Sequence, residues 1–303
     1  MSTGSRRPDS EASTAGVSQS ARAAAEVQRV LFEGECRVDV LATDDRGFAY
    51  GDGVFETMRA HCGALPWWER HWGRLAAGAH RLGLSLPPEA LVIEQAMGLL
   101  AGGGGVLRLQ VTRGRGGRGY AAAAGGVPTW ALSRHEVPVT PPEGIVLRWC
   151  ETRLALQPLL AGIKHCNRLE QVMARNEWSD PGIHEGLVCS LEGDVVSATA
   201  ANLFVLRDGE WLTPQVDRCG VAGVCRAWAI DALQARQARI PTADVASAES
   251  LFVCNAVRGI LPVARLGDVH WPLHPGVVAL RARLASEHPA FSSPTQSGSL
   301  REP

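Results

Sequence analysis

Lys164 is the one lysine among the 30 basic residues of this 303-residue chain; every other cationic side chain is arginine. An exposed cation is mostly a solvated charge, so arginine can replace lysine on a surface at little cost. It cannot replace an amine that reacts, because a guanidinium stays protonated and does not form a Schiff base. Lys164 is therefore a candidate for covalent chemistry, with a chance survivor as the plain alternative. It lies in Gly162-Ile163-Lys164-His165-Cys166-Asn167-Arg168-Leu169-Glu170. Asn167 followed by Glu170 has the form of a capping box, which predicts a helix over 167–178 that begins at Asn167. The ammonium would then stand near the positive end of a helix dipole. That field, together with burial, would favour the neutral, nucleophilic amine.

Two glycine-rich segments offer anion chemistry. Gly220-Val221-Ala222-Gly223-Val224-Cys225-Arg226 reads as a turn entering a helix, where free N–H groups can cradle a phosphate and Arg226 can add charge. Arg59, on a strand beside a glycine loop, is a second phosphate candidate through bidentate contacts, although a lone arginine is more often a surface residue. Arg113-Gly114-Arg115-Gly116-Gly117-Arg118-Gly119-Tyr120 looks superficially like an RNA-binding RGG run. The chain's formal net charge is −1, which argues against a general nucleic-acid or membrane-surface binder. The better expectation is a loop whose arginines, Arg113 and Arg118, hold carboxylates of a small anionic substrate, with a solvated loop as the alternative. His270 and His274 flank Pro272 with no acidic or cysteine ligand nearby, so no metal is expected. There is no G-x-S-x-G, P-loop or H-E-x-x-H motif.

These groups need elements to hold them. Strands are expected within 29–44, then a loop over 45–53 and a strand from Val54 to Ala60 carrying Thr57 and Arg59. Residues 66–83 form the clearest helix, with Trp68, Trp72, Leu75, Ala79 and Leu82 on one stripe. A second helix covers 88–100, and Val106–Thr112 follows as a strand with Leu107, Leu109 and Val111 on one face. Further strands are expected at 128–134 and 144–151. The Pro-containing stretch around Pro138–Pro142 divides an N-terminal domain, 29–138, from a C-terminal one, 139–290. The second half reads as helix 167–178, strands 186–191, 194–198, 201–206 and 210–213, helix 223–237 and strand 251–254. Gly193 and Asp208-Gly209 mark hairpin turns. Hairpin-linked strands with a few helices predict an α+β fold, not a doubly wound sheet. Residues 1–28 and 291–303 are expected to be disordered tails. The eight cysteines, with no C-x-x-C pair, suit reduced residues of a cytoplasmic protein, and no apolar run is long enough to span a membrane.

Taken together, these segments resemble the fold-type IV pyridoxal-phosphate enzymes over about residues 36–266. That family holds branched-chain aminotransferases, D-amino-acid aminotransferases and 4-amino-4-deoxychorismate lyases. The resemblance is carried by Asp45-Arg46…Tyr50-Gly51-Asp52-Gly53-Val54-Phe55, by the Arg113–Tyr120 run and by Ala161-Gly162-Ile163-Lys164-His165…Asn167-Arg168-Leu169-Glu170-Gln171. Ala200-Ala201-Asn202-Leu203-Phe204, Gly220–Arg226 and Cys254-Asn255-Ala256…Pro262-Val263 complete it. The Lys-His-x-Asn-Arg-Leu-Glu-Gln and Arg-Gly-x-Gly-Gly-Arg-Gly-Tyr stretches match the lyases best.

The resemblance implies an N-terminal α/β sandwich and a C-terminal barrel-like α/β domain, with pyridoxal 5'-phosphate between them, in a homodimer. It implies that Lys164 binds the cofactor as a Schiff base and later acts as general base. The phosphate would lie on Arg59, the amides of Val224 and Cys225, and the Asn255-Ala256 turn. A lyase reading adds a dicarboxylate substrate, split to p-aminobenzoate and pyruvate for folate synthesis, with Thr57 orienting a proton or water near the ring. The alternatives are an amino-acid aminotransferase of the same fold and a homologue with impaired catalysis. The latter arises because Ser197 stands where the family places a glutamate against the pyridine nitrogen, and a hydroxyl only hydrogen-bonds there. Glu192 or Asp194 is a possible substitute acid.

Overall fold

The computed structural model describes residues 28–122 and 125–292. The tails expected over 1–28 and 291–303 lie outside it apart from Gln28, Phe291 and Ser292. Phe291 itself is packed, its ring 5.2 Å from that of Trp67, so the ordered C-terminus extends past the expected boundary.

The first half builds β1 (Arg29–Glu33), β2 (Cys36–Val38), α1 (Arg46–Tyr50), β3 (Gly53–Ala60), α2 (Trp68–Leu82), α3 (Glu89–Leu100), β4 (Gly105–Thr112) and β5 (Thr129–His135). Its five strands form an antiparallel sheet in the order β2-β1-β5-β4-β3. The expected stripe on β4 is real: Leu107, Leu109 and Val111 are buried with Leu132 and Trp130 against Leu75 and Ala79 of α2 and Val92, Ala96 and Leu100 of α3. Each of the leucines and valines removed from water there contributes about 1.5–3 kcal/mol. The segment read as a loop over 45–53 contains the one-turn helix α1. Asp45 caps it, accepting from Gly47 N and Phe48 N, and Gly51 closes it at φ 66°.

The second half contains β6 (Ile145–Leu154), α4 (Leu169–Arg175), β7 (Glu185–Ser190), β8 (Val195–Ala198), β9 (Asn202–Arg207), β10 (Glu210–Pro214) and α5 (Val224–Leu233). It continues with β11 (Arg236–Ala238), α6 (Thr242–Ala246), β12 (Ser250–Asn255), β13 (Gly259–Leu266), β14 (Val269–His270) and α7 (Pro275–Glu287). The strands run β11-β10-β9-β12-β13-β6-β7-β8, with β14 paired to β13. A bond from Val195 N on β8 to Ile240 O just past β11 brings the two ends of the sheet together. The curled sheet encloses Ile145, Leu147, Leu187, Leu203, Val205 and Val253. The architecture is α+β, as expected. Asp208 (φ 51°) and Gly209 (φ 73°) form the β9–β10 hairpin turn in the left-handed conformation such a turn requires.

Three boundaries differ from expectation. The helix read over 223–237 stops at Leu233, and Arg236–Ala238 pairs in parallel with β10. Strand β13 contains Pro262, which argues against a strand from sequence; Pro262 sits where β13 pairs with β12, before its ladder to β6 starts at Val263. The helix after Lys164 begins at Leu169, not Asn167, and lacks a capping side chain. Asn167 Nδ2 instead donates to Gly51 O (3.1 Å), and Glu170 accepts from Ala155 N (2.8 Å). The capping box does not form because both of its side chains hold other loops.

Candidate active site

The backbone around Lys164 is fastened on two sides. Phe55 N donates to Lys164 O (3.0 Å) and Cys166 N to Gly53 O (2.8 Å), so residues 164–166 lie antiparallel to the start of β3. Two residues earlier, Gly162 N donates to Gly220 O (3.0 Å) and Ala222 N to Gly162 O (3.1 Å). Lys164 therefore stands where β3 of the first half meets the glycine turn of the second. Arg168 tightens this stretch by donating to His165 O and Ile163 O. A third wall is α2. A Cβ on Gly78 would approach Ile163 Cγ2 to 3.0 Å, so the glycine lets the helix come close.

Lys164 Nζ lies 4.2 Å from the centre of the Phe55 ring and has no hydrogen-bond or ion-pair partner among the described residues. Its pKa is lowered to about 7, chiefly by burial and then by the Arg74 charge, with Glu56 opposing the fall. The side chain keeps some accessible surface, as an amine that must meet a ligand should, while protein surrounds its charge. The expected dipole effect is not the cause, since α4 starts five residues later and is seven residues long.

The turn 220–223 is built to present backbone donors. Asn202 Nδ2 donates to Val221 O (2.9 Å), and a Cβ on Gly223 would collide with Asn202 Oδ1. The N-cap of α5 is Gly223, which supplies no side-chain acceptor for the first-turn N–H groups at Val224 and Cys225. Arg226, expected to add charge here, is buried and donates to Thr213 Oγ1, Pro214 O and Gln237 Oε1. It is a structural tie. The cation on this turn is Arg74, whose Nη1 donates to Ala222 O (2.9 Å). Its other edge grips Glu56, Nε to Oε1 at 2.7 Å and Nη2 to Oε2, and His71 Nδ1 lies 2.7 Å from Glu56 Oε2. Burial would raise the Glu56 carboxyl, but Arg74 and His71 overcome it and hold the pKa at about 2. Burial also lowers His71, so its neutral ring donates from Nδ1 to the carboxylate.

Arg59 approaches the second turn. Its Nη1 donates to Val257 O (3.3 Å), and its buried Nε has no partner. Asn255 shapes that turn: Oδ1 accepts from Val257 N and Arg258 N, and Nδ2 donates to Ala200 O. The Asn255 side chain is thus engaged, which leaves Ala256 and the turn backbone to face a ligand. Ser197 is half-buried on β8, opposite Val188. Glu192, one suggested substitute acid, is ion-paired to Arg218. Thr57 shares a face of β3 with Phe55 and Arg59 and is in register with Arg108 of β4.

The arginines of 113–120 divide sharply. Arg113 donates to both carboxylate oxygens of Asp52, to Gly83 O and to Leu82 O. Arg115 pairs with Asp44. Arg113, expected to hold a substrate carboxylate, thus has four of its N–H groups engaged within the fold. Arg118 is exposed and makes no hydrogen bond or ion pair among the described residues. The loop that carries it is shaped from outside by buried Arg46, which donates to Gly119 O and Tyr120 O.

Sequence reasoning passed over Glu56, His71, Arg74 and Arg108. The Arg108 guanidinium lies 4.3 Å from the Phe55 ring that Lys164 also touches, and its single bond is to Gln110 (3.3 Å). A signal existed on α2: His71, Arg74, Gly78 and Arg81 form a second stripe at helical spacing beside the tryptophans.

The family described as amino-transferase class IV matches residues 53–266. An aminodeoxychorismate lyase from Vibrio harveyi is 34% identical over 230 residues, 73% of this chain and 85% of that protein. The crystal structure of 4-amino-4-deoxychorismate lyase from Pseudomonas aeruginosa superposes with a TM-score of 0.80 at 39% identity, covering 86% of this chain and 99% of the other. A D-alanine aminotransferase from Bacillus licheniformis is 26% identical over 255 residues, 78% of this chain and 88% of its own.

Proposed function

Because the chain belongs to the amino-transferase class IV family, we propose that it is a lyase that splits 4-amino-4-deoxychorismate into p-aminobenzoate and pyruvate. Pyridoxal 5'-phosphate is the cofactor. The residues fit it: a lone amine without a partner, an uncapped helix start beside a glycine turn, and a buried Arg59 Nε that lacks an acceptor. Lys164 would hold the aldehyde; Arg74 with the Val224 and Cys225 amides, and Arg59 with the 255–257 turn, would hold the phosphate. Bound there, the cofactor supplies an electron sink for charge developing at the amine-bearing carbon.

The protein's own contribution begins with Lys164. With a pKa of about 7, its Nζ has a substantial neutral fraction at neutral pH and would take the proton from the amine-bearing carbon of the substrate. The C–O bond to the neighbouring carbon breaks, the ring becomes aromatic, and the departing enolpyruvate gains a proton to become pyruvate. Thr57, on the same strand face as Phe55, is placed to orient that proton or a water. Arg108 replaces Arg113 as a cation for one substrate carboxylate, and Arg118 serves the other. Aromatisation supplies driving force, so the Ser197 hydroxyl suffices where a carboxylate would strengthen the sink.

The observation that carries this reading is the sole lysine, unpartnered, at the junction of β3 and the glycine turn. The Vibrio harveyi and Pseudomonas aeruginosa lyases, at 34% and 39% identity, stand above the D-alanine aminotransferase at 26%, which favours elimination over amino transfer. We treat 29–138 and 139–290 as the two domains. We also place the protein in the cytoplasm, where its eight free cysteines would stay reduced. No described helix is long and apolar enough to cross a membrane. A homodimer would cover Leu169, Val172 and Met173, an exposed apolar stripe on α4. The test is incubation of purified protein with aminodeoxychorismate while p-aminobenzoate is followed. The wild type should form it and leave the cofactor in its original absorbing form; interconversion of added amino and keto acids instead would establish the aminotransferase.

A further inference from the structure

Glu56 is a carboxylate on the wrong side of its strand. Its neighbours on that face of β3, Val54 and Met58, are each 1% exposed and belong to the core beneath α2. A charged group there is strongly disfavoured unless it is paired and hydrogen-bonded. Strand alternation asks for an apolar residue at this position, so the carboxylate must be kept for what it holds.

What it holds is an orientation. A guanidinium is planar, and when a carboxylate takes its Nε and Nη2 edge, the remaining nitrogen must point along one direction. Glu56 grips that edge of Arg74, and the remaining Nη1 reaches the carbonyl of Ala222 in the glycine turn at 2.9 Å. One Nη1 hydrogen satisfies that carbonyl; the second is free for an anion at the mouth of the turn. His71 fixes the carboxylate in turn through Nδ1, from one helical turn before Arg74 on α2. The three side chains are largely buried, at 2%, 1% and 14% exposure for Glu56, His71 and Arg74.

We propose that Glu56, held by His71, is a positioning residue that aims Arg74 at the cofactor phosphate and so sets how much of the binding comes from that phosphate. The inference rests on the reading of Arg74 and the 220–225 turn as the phosphate site. A merely structural Glu56 would stabilise the joint between α2, β3 and the turn, and losing it would weaken every ligand alike.

The experiment compares two aldehydes that differ only in the phosphate. Affinity of the full-length apoprotein for pyridoxal 5'-phosphate and for pyridoxal is measured by absorbance titration, in the wild type and in Glu56→Gln. The wild type should prefer the phosphorylated aldehyde strongly. In Glu56→Gln that preference should fall by about 5- to 20-fold while pyridoxal binding changes less than about threefold. A preference that survives, or equal losses for both aldehydes, overturns the inference alone. A wild type without any preference overturns the phosphate-site reading and the inference together. Should Glu56→Gln not fold, His71→Leu frees the carboxylate from one side only, and the preference should fall by about three- to tenfold. An unchanged preference in that variant is equally fatal.

Discussion

The two glycine-rich segments, 220–226 and 113–120, look alike in sequence and are put to opposite uses. In the first, Asn202, Arg74 and Gly162 hold the turn from outside, and what remains on offer is backbone: the first N–H groups of α5. In the second, Arg113 folds inward onto Asp52, Arg115 pairs with Asp44 at the surface, Arg46 ties down the carbonyls, and what remains is one side chain, Arg118. A rigid cup of amides suits a phosphate that stays bound. A single charge on a loop suits a substrate that comes and goes. In both, the group left open to a ligand is the one the described fold leaves without a partner.

The comparison breaks most completely at Lys164, which belongs to the first segment's framework. Lys164→Ala and Lys164→Arg should each reduce p-aminobenzoate formation by at least about a thousandfold. Arginine keeps the charge, so activity retained in Lys164→Arg would falsify the covalent role. The amine can also be watched directly, because reductive methylation with labelled formaldehyde reports this one lysine side chain. Because burial penalises the charged form, its folded-state pKa of about 7 lies below the ordinary value of 10.5. Between those values the unfolded chain binds the proton and the folded chain does not; stability therefore rises with pH across that window. The NMR midpoint in the apoprotein should fall near 7, and a midpoint close to 10 would mean the amine is solvated.

The next two expectations separate the segments by what each loses. Arg74→Gln should weaken pyridoxal 5'-phosphate binding by about 30-fold, and Arg59→Gln by about tenfold, each read by titrating the apoprotein. Arg118→Gln should raise KM for the substrate by about tenfold with Tm unchanged, since its side chain is exposed and makes no hydrogen bond or ion pair among the described residues. Arg113→Gln should do the reverse: it breaks the Asp52 contacts and lowers Tm by several degrees while KM shifts little. If the two variants exchanged these effects, the division within the loop would be wrong.

Much of this was legible beforehand for identifiable reasons. Lys164 stood out because composition isolates it, and the α5 start because glycine and helix onset coincide at Gly223. The strand faces of β3 and β4 followed from alternation. Arg74 and His71 were hidden because the stronger tryptophan stripe one position away on α2 accounts for that helix by itself. Glu56 was hidden because alternation assigns its position to the core. Choosing among Arg113, Arg115 and Arg118 was beyond the sequence, since it depends on where Asp44 and Asp52 lie in space. The short helix after Lys164 was misread because a capping pattern fixes neither side chain to its own helix when other loops compete for it.

That last misreading yields the smallest test, and one that distinguishes mechanisms. Aspartate caps a helix as well as asparagine does, so a capping Asn167 would tolerate Asn167→Asp with no loss. Here the residue acts as a donor, through Nδ2 to Gly51 O across to the end of α1. Aspartate has no donor to offer and would set a negative charge against that carbonyl. Gly51 packs closely as well, since a Cβ there would come within 2.6 Å of Asn167 Oδ1. Asn167→Asp should therefore cost about 1–2 kcal/mol by denaturant unfolding, as much as or more than Asn167→Ala. The bond joins the Lys164 segment to the Arg46–Asp52 framework under the Arg118 loop, so the same variant should also raise KM slightly. A neutral aspartate would restore the cap and uncouple the two segments.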